Sequence, residues 1–366
     1  MKLRCERDVL VEVLSTAGRA TASRGGALPV LGGVRLEVRG DELVATGTDL
    51  DLTIAATTMV SGLADGVVVA PGRLVTDIVR ALDPGAVTLE AGDDDDLRIA
   101  SGRSHFSVRT HPTGDFPRLP APTGETVTMP VAGLAEALRQ VVRAASGEDS
   151  RPILTGVLMA AEADGLRLVA TDSYRLAVRD LAGAGVLGGD QRVLVPSRAL
   201  AELGRLLTGD AEVAFRLGQH DATFTTGAVA LTTRLIEGEF PNYRQLIPSA
   251  YPNRLTVGRD ALLEAVRRVK LLARDPLTPV RIALRADGIE LSVITPDWGT
   301  ATEDVDAKYE GAEMTVAFNP AYLIDGVEAI ASDEVVLSTV DALKPATLRP
   351  TESDDYLYLL MPVRVP

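Results

Sequence analysis

The chain is written three times over, and this repeat limits what it can fold into more than any other feature. Three proline-led segments, "APGRLVTDIVRAL", "VPSRALAELGRLL" and "NPAYLIDGVEAI", place Pro71, Pro196 and Pro320 at steps of 125 and 124 residues. Proline suits the first turn of a helix, where its missing N–H costs nothing. A second helical set, "RDVLVEVLSTAGRA", "VAGLAEALRQVVRAA" and "GRDALLEAVRRVKLLA", carries apolar residues at i, i+3, i+4 and i+7. Thr48-Asp49, Thr171-Asp172 and Thr295-Pro296 recur in the same register, and "GDFPRLP" around Phe116 answers "GEFPNYRQLIP" around Phe240. Agreement of several markers on one period defines a repeated unit. The expected modules are 1–121, 126–249 and 253–366, joined by the Pro-rich stretches "PAPTGETVTMP" and "PSAYPNRLTVG". Each module reads strand, helix, strands, helix, strands. Hairpin patterns such as "LRIASGRSHFSVRTH" and "GLRLVATDSYRLAVRD" predict antiparallel sheets with helices on one face, an α+β architecture.

Composition narrows the function. Aromatic residues make up only 4% of the chain, so its cores must be built from Leu, Val and Ala. The formal charge of −14 excludes a generally basic nucleic-acid binder. Cys5 is the sole cysteine, which excludes an internal disulfide and makes a small buried apolar residue the simplest reading. "MKLRCERDVL" has no apolar targeting core and no run approaches 18 apolar residues, so the cytosol is the expected location. His105, His111 and His220 lack metal-ligand spacing, and no phosphate loop, dinucleotide fingerprint or Gly-x-Ser-x-Gly is present, so no cofactor or metal is expected. The acidic run Asp93 to Asp96 reads as a solvated hairpin tip. Thr171-Asp172-Ser173 reads first as a turn held by local hydrogen bonds, with a catalytic corner as the competing reading.

"ATDSYRLA", "GEFPNYRQLIP" and the closing "YLYLLMPVRVP" closely resemble the bacterial DNA polymerase III β subunit, the sliding clamp family, with wording nearest to actinobacterial members. The resemblance runs through the whole chain. It implies a non-enzymatic processivity factor: a head-to-tail homodimer closing a ring of six modules around duplex DNA, helices inside and sheets outside. Three modules span half a turn, so two chains joined heterologously can close. Twelve helices at ~8–10 Å spacing give a circumference of roughly 110 Å. Helix bodies of ~10 Å diameter then leave a bore of roughly 25 Å. The implied partners are duplex DNA without sequence preference, the polymerase catalytic subunit, a clamp loader and other proteins with a clamp-binding motif, and no membrane.

Such a ring needs a locally basic lining, not a basic total. Arg73 and Arg80, at i and i+7, lie on one face of a helix, and Arg198 and Arg205 repeat them; Arg139 with Arg143, and Arg267 with Lys270, share faces of other helices. Ordinary solvated helix faces are the competing reading. In the third copy Tyr322 and Ala329 stand where the arginines would be. Arg24, in "ASRGGALP", matches a DNA contact of the family, whereas Pro152 and Ile153 replace its aromatic contacts.

By the same resemblance, Leu154, Thr171, Ser173, Tyr174, Arg175, Leu176, Pro241, Gln245, Leu246, Pro345, Leu359, Met361, Pro362, Val363 and Arg364 form a peptide pocket between the second and third modules. Aliphatic residues and Met would receive Leu or Phe anchors of an extended peptide, and Arg175 and Arg364 its backbone or carboxylates. Phe106 and Val108 on an edge strand, with Leu271 and Leu272 at a helix end, match the subunit joint, where Asp297, Glu303 and Asp304 are expected to face Arg103. Three readings compete with the clamp: a specialised or inhibitor-tolerant duplicate, an enzyme using the Thr171-Asp172-Ser173 corner, and a scaffold with no DNA role.

Overall fold

The computed structural model describes residues 1–22, 28–92, 95–162, 165–183, 187–189, 191–208, 212–275 and 277–365. Arg24 and the first two residues of the Asp93–Asp96 run lie outside them. The chain divides into two compact units, Met1–Ala132 with Glu202–Leu235, and Gly133–Ala201 with Ile236–Pro366. Six α-helices are present among the described residues: α1 (Arg7–Gly18), α2 (Gly72–Ala81), α3 (Val131–Val141), α4 (Ser197–Leu206), α5 (Arg259–Val269) and α6 (Pro320–Glu328). All strand pairings are antiparallel, as the hairpin patterns predict.

The first unit holds two sheets. One orders the strands Ser61–Ala64, Lys2–Glu6, Ala86–Ala91, Asp96–Ser101 and Ser104–Arg109. The other has eight strands, at whose middle Leu52–Met59 pairs with Val229–Arg234, placing Thr53 opposite Thr232. We refer to this pairing of a first-module strand with a second-module strand as the first seam. α1 turns Leu10, Val13, Leu14 and Ala17 into a core shared with Leu3, Leu36, Val75, Val79 and Leu89. Its first amide, on Arg7, is met not by a side-chain cap but by the Gly85 carbonyl at 2.8 Å; Arg259 of α5 finds the Asp333 carbonyl in the same way.

The second unit repeats the plan. In its nine-stranded sheet Arg175–Ala182 pairs with Tyr356–Leu360, and Leu176 stands opposite Leu359. This second seam joins second- and third-module strands. A four-stranded sheet, ordered Gly299–Val305, Gly288–Thr295, Val280–Arg285 and Met314–Phe318, completes the unit. Tyr356, Tyr358 and Phe318 are fully buried in it. Where the other helices of this set carry Asp77 or Glu202, α6 has Gly326, because Tyr358 lies against it: a Cβ there would come within 2.5 Å of the ring.

Candidate functional site

The corner Thr171–Arg175 is built by its own side chains. The Thr171 hydroxyl donates to the Arg175 carbonyl at 2.7 Å and accepts from the Ser173 amide at 3.1 Å. Asp172 Oδ1 accepts from the amides of Tyr174 and Arg175 at 2.9 and 3.0 Å. These bonds hold Ser173 at φ +81°, a left-handed conformation that costs a non-glycine residue about 1–2 kcal/mol. With the Thr171 hydroxyl spent on the backbone and the Asp172 carboxylate on the backbone and the Arg175 side chain, the corner is a turn. No histidine is among its hydrogen-bond partners, and the Ser173 hydroxyl accepts from Arg151 Nη1 at 3.0 Å.

The second seam brings the chain's last strand to this corner. The Met361 amide donates to the Tyr174 carbonyl at 2.9 Å, and the Val363 amide to the Ala317 carbonyl at 2.7 Å, which fixes the closing segment. Beneath lies an apolar cluster including Leu176, Val178, Leu194, Tyr243, Leu357 and Leu359. Ile153, Ile236, Phe240, Ile247 and Met361 pack on it half-buried, forming a partly open apolar collar. Of the sequence-predicted pocket residues, Leu154, Thr171, Leu176 and Leu359 are buried as floor or frame. Pro345, Met361, Pro362 and Val363 are half-buried, and Ser173, Tyr174, Pro241, Gln245, Leu246 and Arg364 are exposed. Tyr174 and Leu246 are the large exposed apolar side chains of the set, and Gln245 sits with Leu246 in the short turn of 3-10 helix Tyr243–Leu246.

Arg175 differs from expectation. It is only 9% exposed. Its Nε donates to Asp172 Oδ2 at 3.0 Å and its Nη1 to Asp325 Oδ2 at 2.5 Å and to the Tyr358 hydroxyl at 3.4 Å. The guanidinium also lies 4.3 Å from the centre of the Tyr322 ring. Burial opposes its charge, yet Tyr358, Asp325 and Asp172 outweigh burial and raise its pKa. The side chain is thus committed inside the protein. Tyr322 and Asp325 are functional candidates that sequence reasoning passed over, although Tyr322 was visible as the residue replacing the repeated arginine.

The cationic residues fall into two groups. On α2, Arg73 and Arg80 are exposed and flank Asp77 at 3.8 and 3.5 Å. On α4, Arg205 pairs with Glu202, and Arg198 holds the position equivalent to Arg73. The other group gathers at the end of α6. Arg139 donates to the carbonyls of Glu328 and Ala329 at 2.9 and 3.1 Å, capping the helix C-terminus. Arg143 and Arg267 grip the two Glu328 oxygens at 2.6 and 2.5 Å. Hydrogen bonding from Arg143 holds the Glu328 carboxyl below the usual range against partial burial, with Arg267 adding to the effect. Lys270 follows α5 in the 3-10 turn Lys270–Leu272.

The residues expected at a subunit joint separate as well. Phe106 and Val108 both lie on the inner face of the edge strand Ser104–Arg109, but Val108 is buried in the core and Phe106 overhangs it, 41% exposed. Leu271 is strongly exposed and Leu272 half-buried. Glu303, expected to face Arg103, is gripped by Arg268, with contacts of 2.6 to 3.1 Å. Among the described residues no His, Cys, Asp and Glu cluster that could hold a metal is present, and no helix is long and apolar enough to cross a membrane.

Three domain models of the DNA polymerase III beta subunit match the chain in succession: the N-terminal domain over residues 1–120, the central domain over 128–242 and the C-terminal domain over 244–364. The chain belongs to the DNA polymerase III β subunit family. It is 35% identical to the beta sliding clamp of Streptomyces coelicolor and 31% identical to that of Pseudomonas putida, over the full length of both chains in each case. Among solved structures it is similar to the DNA polymerase sliding clamp of Bacillus subtilis, with a TM-score of 0.93 at 28% identity. It is equally similar to a DnaN sliding clamp from Bartonella birtlesii bound to griselimycin, with a TM-score of 0.93 at 31% identity; both matches cover each chain completely. β subunits of this family are processivity factors and not enzymes.

Proposed function

We propose that this chain is a sliding clamp that tethers a replicative DNA polymerase to duplex DNA by encirclement. The observation that carries this reading is a full-length match to three successive β-subunit domains, joined to a repeat whose pairing scheme is incomplete within one chain. The modules are assigned to 1–121, 126–249 and 253–366. Topology then raises the local concentration of polymerase on DNA without tight contacts.

The repeat supports one way for two copies to close. Gly102 and Gly227 occupy equivalent hairpin turns at φ +56° and +53°, so Ser104 stands where Val229 stands in the first seam. Val229 pairs with Ala56, and the residue matching Ala56 in the third copy is Glu303. Ser104–Arg109 and Gly299–Val305 both lie at the edges of their sheets. Pairing them between two chains, with Ser104 opposite Glu303 and Phe106 opposite Ala301, makes a third seam and a head-to-tail dimer. Phe106, Leu271 and Leu272 would then be covered, with Val108 supporting Phe106 from within.

In the closed ring, Arg73, Arg80, Arg198 and Arg205 are the assigned phosphate contacts. Asp77, beside Arg73 and Arg80, and Glu202, beside Arg205, keep those contacts weak and salt-sensitive, as sliding requires. Arg139, Arg143 and Arg267 are assigned chiefly to holding α6, with Lys270 beside them and Arg24 retained as a DNA contact. The apolar groove, with Leu154 and Leu176 as floor and Met361 and Val363 at its side, receives Leu or Phe anchors of polymerase, clamp-loader and related peptides in the cytoplasm. Gln245, Leu246, Pro241, Pro345, Pro362 and Arg364 form its rim.

His105→Cys with Thr302→Cys tests closure. Oxidation should give a covalent ring that stays on nicked circular DNA after loading and slides off once the DNA is linearised. Equal retention on both forms, or no cross-link, refutes the reading.

A further inference from the structure

We infer that Asp325, on α6, is a positioning residue for the peptide groove, acting through Arg175 on the Tyr174 ring. The inference rests on the groove reading above. Asp325 is not itself a residue of that groove; its Oδ1 lies 3.6 Å from Arg143 Nη1. Its carboxylate also takes the 2.5 Å bond from the buried Arg175 guanidinium. Arg175 is the last residue of the corner, and its Nε and amide both reach Asp172, whose carboxylate also holds the Tyr174 amide. The Tyr174 carbonyl in turn receives the Met361 amide. One guanidinium therefore ties α6 to the turn that carries Tyr174.

The ring above is placed by the same arrangement. Tyr174 stacks on Tyr322 with centroids 6.4 Å apart and planes 27° apart, and the Arg175 guanidinium lies 4.3 Å from the centre of the same Tyr322 ring. Asn319 Oδ1 caps α6 at the amides of Ala321 and Tyr322, fixing the helix start from which Tyr322 projects. Tyr174 is 59% exposed, so without this backing nothing intrinsic to a tyrosine side chain would keep it in one rotamer. Removing the Asp325 charge leaves a buried guanidinium with only Asp172 as its carboxylate. The guanidinium then shifts towards Asp172 or water, and the ring loses its support. A residue that touches no peptide atom thereby sets the width of the groove beside Met361.

Affinity for a fluorescein-labelled Gln-Leu-Ala-Leu-Phe peptide, measured by anisotropy on the full-length dimer, tests this. Asp325→Asn should weaken binding about 10-fold, and Asp325→Glu should restore it to within about 3-fold. In a Tyr174→Ala background, Asp325→Asn should add less than about 2-fold, because no ring remains to be placed. A purely structural role would instead give the same factor in both backgrounds and overturn the inference, as would full affinity in Asp325→Asn. If Asp325→Asn lacks a cooperative melt, the cycle is run with Asp325→Glu, whose smaller loss must likewise vanish beside Tyr174→Ala. Leu176→Thr separates the two readings. Undiminished affinity there refutes the groove itself; loss there with full affinity in Asp325→Asn refutes only the positioning role.

Discussion

The two seams of this chain share a template and differ in chemistry. At both, a Thr-Asp corner folds the same way. Thr48 donates to Leu52 as Thr171 does to Arg175, Asp49 Oδ1 holds the Asp51 and Leu52 amides as Asp172 Oδ1 holds those of Tyr174 and Arg175, and Leu50 sits at φ +83° where Ser173 sits at +81°. Even the return strand docks alike, Arg234 N–H to the Asp51 carbonyl matching Met361 N–H to the Tyr174 carbonyl, both at 2.9 Å. What differs is the facing pair beside each corner. At the first seam it is Thr53 and Thr232, whose hydroxyls bond Thr48 and Thr223 at 2.8 and 2.9 Å. At the second it is Leu176 and Leu359, buried under a half-open apolar collar. The lesson is that Thr and Asp fix the turn, while the residues around it decide whether the seam is sealed by its own hydroxyls or left under a half-open apolar collar.

Exchanging that pair should give the largest effect. Leu176→Thr with Leu359→Thr should lower affinity for a Leu- and Phe-anchored peptide by more than about 100-fold and destabilise the second unit by about 3–5 kcal/mol, through lost apolar burial and unpaired hydroxyls. Anisotropy and thermal unfolding measure both, and retained affinity would break the comparison. Next comes the corner carboxylate. Asp172→Ala should cost about 3 kcal/mol, because it removes one of the two carboxylates that hold the buried Arg175 charge and leaves Asp325 alone. Asp49→Ala should cost only about 1–2 kcal/mol, since Leu52 stands where Arg175 does. Equal losses in urea unfolding would show that the arginine adds nothing.

The reverse exchange is a sharper and smaller test. Thr53→Leu with Thr232→Leu should change stability by less than about 1 kcal/mol. It should create no second peptide site, because Arg234 occupies the place of Met361. A second binding event in calorimetry would refute this. The smallest effect belongs to Glu328. Its carboxyl is held below the ordinary range by Arg143, with burial opposing and Arg267 helping. The stability it supplies is complete above an unfolded-state pKa of about 4.3 and is lost as pH falls through the lower folded-state value. Melting temperatures of wild type and Glu328→Gln should therefore differ at pH 7 and converge in acid, and a constant gap would exclude the ion pairs as its cause.

Much of this was legible in the residues. Apolar periodicity and proline-led starts placed the helices, and alternation around Leu166–Val178 placed the strands either side of the Thr171–Arg175 corner. The aliphatic floor was legible too, because Leu176 and Leu359 sit in quotable motifs. The pairing of Arg175 was not legible, since a motif shows that an arginine is present but not that Asp325, 150 positions away, holds it. Val108 was likewise indistinguishable from Phe106, as both share one strand face and only depth in the core separates them. The caps of α1 and α5 left no local signal, because their acceptors are the Gly85 and Asp333 carbonyls.

The sequence by itself determined the triplicate, the turn at each corner and the antiparallel α+β plan. All of these follow from short-range periodicity and from side chains bonding their own backbone. Only the tertiary structure decided which charges are free and which are spent. Pairing of Arg175–Ala182 with Tyr356–Leu360 brings residues nearly half the chain apart into one buried network. A guanidinium's role is set by the carboxylate it meets there, and its position along the chain does not reveal that partner.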